Sequence, residues 1–176
     1  MLFNGVRVIS LVSLCTILLG AAVLRPIIAA VPTGLDDQVQ KEIEAAYAKR
    51  DKAFKEKDIA AIRAMETSDY KEKSKDGVVD RATLDPQVDQ LMAMIKEVKV
   101  LFTTVEKISE GKDSTEVIAD ATTKGDFTFK IEDGSVHEQV ASAKVRDIWV
   151  KTKEGWKIRF HETLEAAMLL DGKPVG

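Results

Sequence analysis

The chain has 176 residues, 45% hydrophobic and 31% charged, with a formal net charge of −3, one cysteine and two histidines. A mildly acidic surface excludes the clustered Lys and Arg that nucleic acid needs. Two distant histidines fall short of the three or four close ligands of a zinc site, so no metal or other cofactor is expected.

Val8 to Leu24 is an uncharged apolar run that follows Arg7 and leads to Ile28-Ala29-Ala30-Val31. This pattern predicts a secretory signal over residues 1–30 with cleavage after Ala30, an earlier cut after Ala22 being the alternative, and a secreted or periplasmic product. The run has 17 residues, short of the roughly 20 that cross a bilayer, which makes an uncleaved membrane anchor the secondary reading. Cys15 sits inside the run after Leu14 rather than after a small residue, so a lipid anchor does not fit. Without residues 1–30 the protein has no thiol, hence no disulfide and no thiolate nucleophile. It also loses Arg7 and Arg25 and no acidic residue, which takes the net charge from −3 to −5. Residues 31–176 are long enough for one domain stabilised by its core alone, with no membrane contact after cleavage.

The first element of that domain is an amphipathic helix over about 35–57, with Val39, Ile43, Ala46, Tyr47 and Phe54 on one stripe and Thr33 to Asp36 as its start signal. Lys49, Arg50, Asp51, Lys52, Lys55 and Glu56 read as its solvated face or ends, because both signs are mixed. Asp58 caps a short second helix, Ile59 to about Glu66. Thr67 to Gly77 is polar and reads as a loop or a short strand around Tyr70. A third helix begins at Asp80 or, with Asp as cap and Pro in the first turn, at Asp85-Pro86; Val88, Leu91, Met92 and Ile95 form its apolar face.

Four strands follow. They span Val98 to Glu110, Ser114 to Ile131 with a break or bulge at Lys124-Gly125-Asp126, His137 to Thr152, and Trp156 to about Leu164. Gly111-Lys112-Asp113, Asp133-Gly134 and Lys153-Glu154-Gly155 close the hairpins, and Ala166 to Gly176 carries little signal. Helices followed by an antiparallel meander predict an α+β domain, with N-terminal helices packed on a curved four-stranded sheet.

The chain resembles the nuclear transport factor 2-like superfamily, and in particular its secreted SnoaL-like branch, over Gln38 to about Leu164. The likeness rests on Ile43, Tyr47 and Phe54; on Lys57-Asp58-Ile59-Ala60-Ala61-Ile62; on Ser68-Asp69-Tyr70 and Lys75-Asp76-Gly77; and on Arg146-Asp147-Ile148-Trp149-Val150 with Gly155-Trp156-Lys157-Ile158. It implies a cone-shaped, cystatin-like domain with a pocket between sheet and helix, often a homodimer through the outer sheet face. It implies no single activity, since the scaffold hosts isomerases, dehydratases, cyclases and non-catalytic binders. The Asp-Tyr-Asp set of its isomerases does not align onto this chain, whose only tyrosines are Tyr47 and Tyr70.

The last hairpin predicts geometry. With Gly155 in the left-handed position of a three-residue loop, Thr152 faces Trp156 and opposed residue numbers sum to 308. Arg146 then faces Glu162, Asp147 faces His161, Ile148 faces Phe160 and Val150 faces Ile158. Strand alternation puts the even residues Ile148, Val150, Ile158 and Phe160 under the helices, with Arg146 and Glu162 at the end of that strip. That pair reads either as a structural ion pair or, with Tyr70, as the polar lining of a pocket mouth. Asp147, Trp149, Arg159 and His161 fall on the outer face, to meet a second subunit. Asp147 beside His161 is the second-choice site, because a carboxylate can fix an imidazole tautomer for general-base work. The functional expectations are an exported domain that binds a small, partly apolar molecule; alternatively a cofactor-independent isomerase or lyase using Tyr70 with Asp69 or Glu162; or a structural dimerisation domain.

Overall fold

A computed structural model describes residues 37–175; the expected signal, both cut sites, Cys15 and the Thr33 to Asp36 helix start lie outside them. Helix α1, Asp37–Lys55, buries Ile43, Tyr47, Asp51 and Ala53, so two charged positions adjoin the apolar stripe and one of them, Asp51, is buried with it. Asp58 caps α2, Ile59–Ala64, its carboxylate accepting from the Ala61 N–H at 2.9 Å. Asp80 likewise caps α3, Arg81–Met94, accepting from the Thr83 N–H at 3.0 Å. The earlier of the two expected starts is therefore used, and Pro86 lies inside the helix rather than at its head.

The sheet has seven strands rather than four. The core meander is β3 (Ile95–Glu110), β4 (Glu116–Lys130), β5 (Val136–Thr152) and β6 (Gly155–Leu170), paired antiparallel. The additional strands are β1 (Glu66–Ser74), which runs parallel to β6, β2 (Gly77–Asp80), a hairpin partner of β1, and β7 (Lys173–Pro174) on the far end of β6. The polar segment around Tyr70 is thus a strand whose inward residues are Tyr70 and Glu72 and whose neighbours are exposed. Such alternation over so few apolar residues is easily taken for a loop. Gly125 is neither a break nor a bulge in β4: β4 and β5 stay in continuous register across it, and the irregularity lies on β3 between Val98 and Val100. Glycine suits that position because a Cβ would lie 2.3 Å from the Phe127 ring, which would have to shift.

In the β5–β6 hairpin Thr152 faces Gly155, one residue short of the expected pairing, and Val150 faces Lys157. A bulge at Arg159 restores the expected register beyond it, so Ile148 faces Phe160, Asp147 faces His161 and Arg146 faces Glu162. The same bulge breaks strict alternation, so Ile158 and His161 are both buried on the inner face opposite Trp149 and Asp147. Except at Ile158, which is inside as expected, the facing is therefore the reverse of the one expected: Asp147 and Trp149 are fully buried beneath α1, while Ile148 and Phe160 lie half-buried on the outer face. Tyr47 of α1 packs edge-on against Trp149 at 4.9 Å, and Glu42 accepts from the Trp156 indole at 2.7 Å, which fixes the helix over the hairpin.

Candidate active-site cavity

A cavity of about 80 Å³ lies between α1 and the inner face of the sheet. That is several times the ~10–15 Å³ one water requires, and it suits a molecule of about one ring. Its walls are built by residue size. Gly125 and Ala141, paired across β4 and β5, and Ala143 leave the space, while Phe54, Leu101, Phe127 and Val145 make it apolar. Phe54 and Phe127 meet edge-on, with centroids 6.0 Å apart. The polar lining is Arg50 and Asp51 from α1, Thr123 from β4 and His161 from β6.

Behind His161 stands a buried relay. His161 Nδ1 lies 2.6 Å from Asp147 Oδ1, and the Tyr47 hydroxyl donates to Asp147 Oδ2 at 2.7 Å. Asp147 thus uses both oxygens and has no exposed surface. With Nδ1 committed to the carboxylate, Nε2 is the imidazole nitrogen left for the cavity, and the backing carboxylate sets the tautomer. Burial alone disfavours charge on both members. For His161 it is outweighed by Asp147 and then Glu72, so the imidazole pKa is raised above its ordinary value. For Asp147 burial is outweighed by His161, Arg50 and the Tyr47 hydroxyl, so the carboxyl is lowered.

Glu72 neighbours His161 in register on β1, is buried, and has one carboxylate oxygen, Oε1, without a hydrogen-bond partner. Burial pushes its pKa up against the pull of His161. Burial likewise raises Asp51, which accepts from Thr103 at 3.0 Å, and Glu66. Burial opposes the charge of Arg50 as well, but Asp147 and the neighbouring tyrosines raise its pKa further.

Of the residues singled out from sequence, Asp147 and His161 are brought together inside, at the cavity. Arg146 and Glu162 face each other on the outer side of the sheet, away from it. There the Arg146 fork binds Asp120 at 2.7 and 3.1 Å, and Glu162 pairs with Lys73 at 2.7 Å. Tyr70 is buried near Glu72 and Arg50 but is not part of the cavity wall, and burial raises its pKa. Asp69 is exposed. Arg50, Asp51 and Glu72 were not singled out. A signal for the first two was present: Ile43, Tyr47, Arg50, Asp51 and Phe54 continue one stripe at three- and four-residue spacing, so charge entered the buried face of the helix.

No protein-family model matches the chain, and no curated protein matches it in sequence. Solved structures do. The chain is similar to a provisionally assigned aromatic ring hydroxylase from Novosphingobium aromaticivorans, with 14% identity and a TM-score of 0.62 over 80% of this chain and 96% of that one. It is similar to a ketosteroid isomerase-like protein from Erwinia carotovora atroseptica, with 17% identity and a TM-score of 0.54 over 71% of this chain and 95% of that one. It is also similar to a nuclear transport factor 2-like protein from Cytophaga hutchinsonii, with 13% identity and a TM-score of 0.55 over 70% and 95%. At such identities the likeness establishes the fold alone, which is nuclear transport factor 2-like.

Proposed function

From a nuclear transport factor 2-like fold, we propose that this chain binds a small, partly apolar molecule in the cavity between α1 and the sheet. The observation that carries the reading is the contrast within that wall: Phe54, Leu101, Phe127 and Val145 give an apolar body a place, and His161 and Arg50 give a polar group one. Ala143→Phe tests it by filling the space. Single-ring aromatics that bind the wild type in saturation-transfer NMR should lose binding in that variant, and undiminished binding would place the site elsewhere.

A second reading, a cofactor-independent isomerase or lyase, is favoured by the Tyr47, Asp147 and His161 relay. Neutral His161 would take a proton from carbon at Nε2, the C–H electron pair passing into an adjacent carbonyl to give an enolate, and Asp147 would stabilise the resulting imidazolium. The ketosteroid isomerase-like neighbour is consistent with that class of chemistry. Deuterium uptake at the methyl carbon of acetophenone in D₂O, catalysed by the wild type and lost in His161→Gln, would establish it. No uptake above the buffer rate leaves binding alone.

Export and self-association complete the proposal. The apolar run 8–24 supports export, and N-terminal sequencing of the secreted or periplasmic product should begin near Val31. The outer face carries the cross-strand row Ile118, Ile148, Phe160 and the exposed Val100, Phe102 and Val140, which a second copy would cover. Sedimentation analysis should give a dimer, dissociated by Phe102→Asp.

A further inference from the structure

Arg50 differs from the other arginines of the described residues. Arg63, Arg81, Arg146 and Arg159 each meet a carboxylate within ion-pair distance. The Arg50 guanidinium meets none, and it makes no hydrogen bond to any described residue. It is nevertheless half-buried and forms part of the cavity wall. A guanidinium offers five N–H donors in a planar fork whose natural complement is a carboxylate.

The carboxylates nearest the cavity are bonded elsewhere. Asp147 is committed at both oxygens to Tyr47 and His161. Asp51 reaches for Thr103, whose hydroxyl also meets Thr123. Burial disfavours the charged forms of Asp51, Glu66 and Glu72. Asp147 is thus spoken for by Tyr47 and His161 and Asp51 by Thr103, and neither carboxylate fills the Arg50 fork.

We infer that the cavity selects a monocarboxylate with a flat apolar body, the carboxylate received by the Arg50 fork and the body lying against Leu101 and Phe127. This rests on the cavity being a binding site, and it adds the charge and shape of what binds there. The group has no leaving function and takes part in no bond change; Arg50 is a specificity-determining residue.

Benzoate and benzyl alcohol, equal in ring size and differing in charge, are the probes, titrated calorimetrically into the full-length chain at 50 and 300 mM salt. Benzoate should bind at least tenfold more tightly at the lower salt, with a smaller advantage at the higher. Arg50→Met should abolish the preference, benzoate and benzyl alcohol binding that variant about equally. Arg50→Lys, which keeps the charge without the fork, should retain a reduced preference. Equal binding of the two probes by the wild type, or a preference that survives Arg50→Met, overturns the inference while leaving the cavity as a binding site. Failure of both probes to bind the wild type, or binding that survives Ala143→Phe, overturns that reading as well. Should Arg50→Met not fold, the wild-type comparison and its salt dependence decide the matter.

Discussion

Asp147 and His161 are paired neighbours on β5 and β6, with Oδ1 and Nδ1 2.6 Å apart, and the carboxylate has no exposed surface while the imidazole borders the cavity. A charge in that position is costly unless its partner stays. Asp147→Ala should destabilise the domain by about 3–5 kcal/mol, because it strands His161 and the Tyr47 hydroxyl. A joint Asp147→Leu, His161→Leu replacement should recover much of that loss, and a double-mutant cycle by urea unfolding reads the coupling. Additive single effects would show that the pair is not energetically linked.

Stability should peak at mildly acidic pH. His161 has a raised pKa in the fold, so its contribution is complete below the ordinary value of about 6.5 and is lost as pH rises through the folded value. Asp147 has a lowered pKa, so its contribution is complete above about 3.9 and is lost as pH falls through the folded value. Asp51, Glu66 and Glu72 are raised, so the stability they confer is complete only below their ordinary values of about 4 and is lost as pH rises through the folded values, which places the maximum toward the acid end. Urea midpoints should therefore be highest at the acid end of the range between about pH 4 and 6.5 and decline toward pH 8. A midpoint that climbs from pH 6 to 8 would contradict these directions.

Gly125→Ala should be more damaging than a glycine-to-alanine change in a strand normally is. The new Cβ would fall 2.3 Å from Phe127 Cε2 and Cζ, so the ring must move, toward Phe54 or into the cavity. Overpacking of this kind costs about 1–3 kcal/mol. A thermal melt reads the loss, and a melting temperature equal to that of the wild type would show that the ring has room.

Arg146→Ala should cost less than about 1 kcal/mol, since its bidentate contact with Asp120 is on the solvated outer face. Calorimetric binding of benzoate should be unaffected. A loss of several kcal/mol, or of binding, would restore Arg146 to the inner face.

Much of the fold was legible in the sequence because its signals were local. The caps at Asp58 and Asp80, the turn at Lys153 to Gly155 and the β-branched runs each act within a few residues. The register at the Asp147 and His161 pair was legible through two compensating departures, a turn one residue tighter than assumed and a bulge at Arg159. Facing was not legible, because the bulge lets Ile158 and His161 point the same way and defeats any reading from alternation. Strand β1 was legible only as one of two alternatives, a loop or a short strand around Tyr70, because its single buried aromatic is followed inward by Glu72, a charge whose burial beside His161 is a tertiary matter. Arg50 and Asp51 were assigned to solvent by type, although their spacing from Tyr47 placed them on the helix face that meets the sheet.

The central claim is that the space beside His161 is where a molecule binds. Nitrogen-15 NMR of the His161 imidazole during a benzoate titration tests it most directly. The account predicts a saturable shift at Nε2, with Nδ1 kept as the nitrogen bonded to Asp147, and no shift in Ala143→Phe. An Nε2 resonance unmoved at saturating benzoate, or one that moves equally in the filled variant, would contradict it.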